Sequence, residues 1–106
     1  MAKYLLQVTY TADGARGLIK DGGSKRRQAA EQAVKSAGGS IEAFYFAFGE
    51  TDAYVILDAP DHASATAAAL AINASGLVRS KTTVLITPEE LDSAAKKTVT
   101  YRGPGQ

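Results

Sequence analysis

The chain has 106 residues, enough for one compact domain and too few for two. Hydrophobic residues make up 45% and charged residues 22% of it, which is the composition of a folded globular protein. The lack of cysteine excludes disulfides, thiolate metal sites and cysteine nucleophiles. The single histidine excludes a zinc site built on several histidines. The net charge of +1 gives no sign of a protein that binds polyanions.

The first part of the chain predicts one strand and one long helix. Residues 3–10 are rich in β-branched and aromatic side chains, which favours a strand. Residues 11–23 contain four glycines and predict a long connection that holds no more than a helical turn, at 15–20. Ser24 is a favoured N-cap, and the apolar spacing that follows it predicts a helix to about Ala37.

The rest of the chain predicts three further strands and a second helix. Residues 40–49 and 52–58 predict two strands joined by a tight connection, and Asp61 is positioned to cap a helix that runs to about Ser75. Residues 77–87 predict the last strand. The order β-α-β-β-α-β predicts an α+β, ferredoxin-like fold with a four-stranded antiparallel sheet and two helices on one face.

A short helix is predicted after the last strand. Thr87 is a suitable N-cap, Pro88 occupies the first helical position, and Glu90 completes a capping box. These three residue types at this spacing are a specific signal for a helix start.

The residues at the two ends of the chain indicate where the predicted domain ends and in which compartment we expect the protein. We expect one domain over residues 1–96 and a mobile tail over 97–106, with the alternative that Val99 and Tyr101 add to a sheet edge. The first strand is too short, and is broken by Gln7, for a secretory signal, and no apolar run approaches the roughly 20 residues of a membrane span. We therefore expect a cytoplasmic protein that does not bind membranes.

The hairpin of the second and third strands is apolar on both faces. With Glu50 and Thr51 as a two-residue turn, one face pairs Phe48 with Ala53, Phe46 with Val55 and Phe44 with Leu57, and the other carries Tyr45, Tyr54 and Ile56. Two helices cover only one face, and soluble monomers avoid a large exposed apolar patch. The pattern predicts a homodimer in which two sheets pack face to face as a dimeric α/β barrel.

The open face of the sheet is the predicted ligand site. We place the phenylalanine face under the alanine-rich helices, so that strand alternation assigns six candidate residues to the open face: Gln7, Thr9, Tyr45, Tyr54, Arg79 and Lys81. The two cations need a partner once they are covered. That partner is either an acidic residue across the interface (Glu50, Asp52 or Asp58) or a small anionic ligand compatible with an aromatic surface.

Acid–base candidates are few. His62, Glu50 and Asp52 are the residues that could transfer protons, although His62 also suits an exposed first helical turn and the two carboxylates also suit a turn. We expect no metal and no haem, because one histidine without supporting groups is a weak ligand set. RNA binding is not expected, because the third strand lacks the glycine-rich aromatic motif of RNA-recognition domains.

Several short segments resemble the GYD domain family of the dimeric α/β barrel superfamily. The resemblance covers roughly residues 4–91 and is carried by Tyr10-Thr11, Asp13-Gly14, Lys20-Asp21, Ser24-Lys25-Arg26, Gly38-Gly39, Phe44-Tyr45, Gly49-Glu50-Thr51-Asp52, Ala59-Pro60-Asp61, Gly76, Val78-Arg79 and Thr87-Pro88-Glu89-Glu90. Thr51 departs from the pattern, since the family has tyrosine there. The resemblance implies the fold and the dimer, and no particular activity.

Two functions follow from this resemblance together with the predicted cavity. The first is a homodimeric small-molecule-binding or accessory domain. The alternative, implied by relatives in the superfamily, is a small cofactor-independent enzyme of the oxygenase, isomerase or dehydratase kind that uses the cavity between the sheets.

Overall fold

The computed structural model describes residues 1–106 as an α+β fold. Four strands form one open antiparallel sheet in the order β2-β3-β1-β4. The elements in chain order are β1 (Ala2–Tyr10), α1 (Ala12–Asp21), α2 (Gly23–Ser36), β2 (Ser40–Phe46), β3 (Ala53–Ala59), α3 (His62–Ala74), β4 (Val78–Leu85) and α4 (Pro88–Ala95). No helix has both the length and the apolar character needed to cross a bilayer.

The core lies between one face of the sheet and the helices α2 and α3. Alternate side chains of the two central strands are buried on this face: Tyr4, Leu6 and Val8 of β1, and Ala53, Val55, Leu57 and Ala59 of β3. Val34 of α2 and Ala65 of α3 cover them from the helix side. Burial of each large apolar side chain here stabilises the fold by about 1.5–3 kcal/mol, so this layer is the main source of stability.

The connection after β1 is a helix, and the prediction of a single turn there is wrong. Thr11 caps α1 by accepting a hydrogen bond from the backbone N–H of Gly14 at 3.2 Å, and its hydroxyl donates to the carbonyl oxygen of Gly76 at 3.0 Å. A Cβ at buried Gly14 would collide with the carbonyl oxygen of Leu77. The glycine that indicated a loop is therefore the residue that lets this helix lie against the start of β4.

The predicted N-cap of the next helix is also wrong. The helix α2 begins at Gly23, and Gly22 is its N-cap without any side-chain hydrogen bond. Gly22 has φ +81°, a conformation that suits glycine, and it separates α1 from α2. Ser24 lies inside the first turn of α2.

The β2–β3 hairpin has a longer connection than predicted. The strand β2 ends at Phe46, and six residues, 47–52, connect it to β3. The observed pairs are Phe46 with Ala53, Tyr45 with Tyr54 and Phe44 with Val55, two residues out of the predicted register. Because side chains alternate with a period of two, this shift leaves each of these residues on its predicted face. Phe48 does not pack under the helices and is fully exposed in the connection.

The signals for the last two helices are confirmed. Asp61 caps α3 by accepting from the backbone N–H of Ser64 at 2.7 Å. Thr87 and Glu90 form the capping box of α4, with both reciprocal hydrogen bonds at 3.0 Å. No residue of α4 is buried, no strand forms after it, and the chain is elongated, with extents of 56 by 32 by 22 Å.

Candidate functional site

The second face of the sheet is left uncovered by the helices. Tyr45 and Tyr54 lie opposite each other on neighbouring strands of this face and are 72% and 42% exposed. On the other side of β1, Thr9 pairs with Arg79 and Gln7 pairs with Lys81. The open face therefore joins an aromatic half on β2 and β3 to a cationic half on β1 and β4.

A groove of about 400 Å³ lies on the cationic half. Its lining residues are all polar: Gln7, Thr9, Glu50, Thr51, Arg79, Ser80 and Lys81. Four of the six predicted site residues are thus brought together, whereas Tyr45 and Tyr54 share the face without lining the groove. A polar lining favours a strongly polar ligand over an aromatic one.

The β2–β3 connection supplies one wall of the groove. The Thr9 hydroxyl donates to the backbone carbonyl oxygen of Glu50 at 3.4 Å, which ties the connection to β1. A two-residue turn would have kept Glu50 and Thr51 at the hairpin tip, so Thr51 was missed as a groove residue. Its contribution depends on the path of a six-residue connection, for which the local sequence carries no specific signal.

Asp52 has a structural role beside the groove. Its carboxylate accepts a hydrogen bond from the backbone N–H of Tyr10 at 2.9 Å, and its own N–H donates to the carbonyl oxygen of Val8 at 2.8 Å. These two bonds anchor the end of the connection to β1. Asp52 does not line the groove, which leaves Glu50 as the acidic residue there.

The two groove cations have no ion-pair partner within the chain, since the four intrachain pairs involve other basic residues. Asp58, one of the acids considered as their partner, instead pairs with Lys3 at 3.0 Å, and Lys3 also pairs with Glu42 at 3.0 Å. These hydrogen bonds, the one to Glu42 first, raise the pKa of the Lys3 ammonium above its ordinary value. Arg79 and Lys81 therefore keep their charges free for a partner from outside the chain.

His62 belongs to a different place in the fold. Its Nδ1 lies 2.5 Å from the hydroxyl oxygen of Tyr4, which is 2% exposed, and the two rings meet edge to face with centroids 5.7 Å apart. Tyr4 lies on the helix-covered face, so His62 is on the opposite side of the sheet from Glu50. The three acid–base candidates do not converge on one cavity.

The acidic residue beside His62 is the N-cap of α3, Asp61, and its pKa reflects that role. The pKa of the Asp61 carboxyl lies below its ordinary value, because the backbone N–H and the hydroxyl of Ser64 donate hydrogen bonds to it, with a smaller effect from the charge of His62. The chain has no group of three or more histidine, aspartate or glutamate side chains placed to hold a metal ion.

Comparison with known proteins identifies the family. No curated protein and no solved structure matches the chain. The family model of the GYD domain matches residues 4–95, a range that runs from β1 to the end of α4. Thr51, the residue at which the sequence departs from the pattern that the resemblance implies, lies in the wall of the groove. Since the match spans every element of the fold, the chain belongs to the GYD domain family.

Proposed function

We propose that this protein is a homodimeric binding domain in which the open faces of two sheets meet and enclose a small anionic ligand. The observation that carries the proposal is the open face itself, which combines two exposed tyrosines with a polar groove that holds two unpaired cations. A second copy would cover the aromatic half, and a ligand would neutralise the cationic half.

The strand order supports the dimeric barrel. The order β2-β3-β1-β4, with α2 and α3 against one face, is the arrangement expected of a ferredoxin-like sheet with α1 inserted before the first crossover helix. Such a sheet leaves its second face free, and face-to-face packing of two sheets is a common way to bury it. Tyr45 on the edge strand β2 and Tyr54 on the neighbouring β3 would supply large buried areas to that interface.

The chemistry of the groove supports an anionic ligand. Arg79 presents a planar guanidinium that matches a carboxylate or a phosphate through two parallel hydrogen bonds, and Lys81 adds a mobile point charge. Gln7, Thr9 and Thr51 supply neutral donors and acceptors around them. Covering this face without an anion would bury uncompensated positive charge, which is costly.

No observation favours the alternative of a cofactor-independent enzyme. His62 lies on the helix-covered side, and Asp52 is engaged with the backbone N–H of Tyr10. Glu50 is then the only one of the three acid–base candidates that lines the groove. A single exposed carboxylate is a poor basis for paired acid–base chemistry.

Anion binding by Arg79 variants tests this function. Isothermal titration calorimetry should show that inorganic phosphate and succinate bind to the parent. Arg79→Met should lower the affinity for these anions roughly ten- to a hundredfold, because it removes a charge-assisted hydrogen bond. Arg16→Met is the matched control, because Arg16 is an exposed arginine of α1 that pairs with Asp13. Equal affinities for the parent and Arg79→Met would contradict the proposal.

A further inference from the structure

The charged side chains that line the groove are two cations and one anion. Arg79 and Lys81 provide two positive charges, and Glu50 provides one negative charge. None of the three has an ion-pair partner within 4.0 Å, so they do not neutralise one another. Asp52, beside the groove, is already engaged with the N–H of Tyr10. Asp58 pairs with Lys3 near the opposite end of β1 from Thr9.

We propose that the ligand of this groove is an amino dicarboxylate, a small molecule with two carboxylates and one ammonium group, of the aspartate kind. This inference rests on the proposed function and names its ligand class. The two carboxylates would pair with Arg79 and Lys81, and the ammonium group would pair with Glu50. Each charge of the groove then has one partner of opposite sign.

Simpler anions match the groove less well. A dicarboxylate without an ammonium group would satisfy both cations but would leave Glu50 unpaired beside two further negative charges. A ligand with one carboxylate and one ammonium group would leave one cation unpaired. In a groove covered by a second sheet, an unpaired charge is costly, so the three-charge ligand is favoured over both.

Size and hydrogen bonding agree with this ligand class. The groove volume of about 400 Å³ is within the range of small-molecule sites. The hydroxyl of Thr51 and the amide of Gln7 are available for carboxylate oxygens and ammonium protons that the charged residues leave free. The Thr9 hydroxyl donates to the carbonyl oxygen of Glu50, so it can only accept from the ammonium group. None of these side chains is apolar, which disfavours ligands with a large hydrophobic part.

The test compares ligands that differ by one charged group. Isothermal titration of the parent with L-aspartate, succinate and β-alanine separates the contributions of the ammonium group and of the second carboxylate. We expect L-aspartate to bind roughly tenfold or more tightly than either of the other two, because each lacks one charge-assisted bond. Glu50→Gln should abolish the preference for aspartate over succinate, and Arg79→Met should weaken both. Glu89→Gln, an exposed glutamate of α4, is the matched control and should change nothing.

Each contrary result has a distinct meaning. If aspartate and succinate bind equally and Arg79→Met weakens both, the amino dicarboxylate assignment is overturned while the anion-binding function stands. If phosphate binds and neither dicarboxylate does, the assignment is likewise overturned. If no anion binds, and Glu50→Gln or Arg79→Met weakens a dimer measured by light scattering, the three charges form ion pairs between two copies, and both ligand proposals fail.

Discussion

Gly14 and Gly17 provide a matched pair of substitutions in the helix α1, the element that the sequence did not predict. Both lie within the helix, and Gly17 has no atom within 4 Å of the position of an added Cβ. Gly17→Ala should therefore stabilise the fold by about 0.4–1 kcal/mol, because alanine loses less backbone entropy than glycine in a helix. At Gly14 the same methyl group would collide with the carbonyl oxygen of Leu77.

Relief of that collision requires α1 to move away from the start of β4. Such a movement strains the hydrogen bond from the N–H of Thr11 to the carbonyl oxygen of Leu77, which is 3.0 Å long. Overpacking of this kind costs about 1–3 kcal/mol, so Gly14→Ala should be destabilising, and the two variants should differ by about 1.4–4 kcal/mol. Urea unfolding followed by circular dichroism, at one protein concentration, measures the difference. Equal stabilisation by both substitutions would refute the close packing of α1.

Three further results are expected. Tyr4→Phe should lower the free energy of unfolding by about 0.5–1.5 kcal/mol in urea titrations, because it removes the hydrogen bond to His62 and keeps the ring; no change would show that the bond is not stabilising. Asp61→Ala should be less stable than the parent at neutral pH, because the ionised Asp61 carboxylate stabilises the folded state. The pKa of this carboxyl is lower in the folded state than its ordinary value of 3.8, so the difference in the free energy of unfolding should shrink as the pH falls from 3.8 through the folded-state pKa. A difference that does not depend on pH would contradict this. Thr87→Ala should speed hydrogen exchange of the Leu91 amide, which donates to the Thr87 carbonyl oxygen at 3.0 Å in the first turn of α4. The free energy of global unfolding should change little, because α4 has no buried residue. A large loss of global stability would show that α4 packs against the domain.

Local signals were sufficient for the helix starts at Asp61 and Thr87. In each case one side chain caps the helix within three residues of its own position, so the chemistry is contained in a short segment. The assignment of faces on β2 and β3 also survived, although the register was wrong, because an error of two residues leaves Phe44 and Tyr45 on their faces.

The features that the sequence did not predict, the helix α1 and the path of the connection 47–52, depend on contacts between segments that are distant along the chain. Gly14 favours a loop by its propensity, and its close approach to Leu77, which is distant along the chain, explains why glycine is needed inside this helix. The path of the connection 47–52 is set by bonds from Asp52 to β1, some 42 residues away along the chain. The wall that Glu50 and Thr51 give to the groove follows from that path. Strand alternation was therefore enough to place Arg79 and Lys81 on the open face, and it could not place Thr51 beside them.

Sedimentation equilibrium of the parent and of Tyr45→Asp tests the central claim most directly, because the claim requires the open face to be covered by a second copy. We expect the parent to have about twice the chain mass of 11.1 kDa at micromolar concentration. Tyr45→Asp should sediment as a folded monomer, since it places a charge in the aromatic half of the face that the second copy covers. Ile19→Asp, at an exposed apolar residue of α1, should remain a dimer. A parent that is monomeric, or a Tyr45→Asp variant that remains dimeric, would contradict the account.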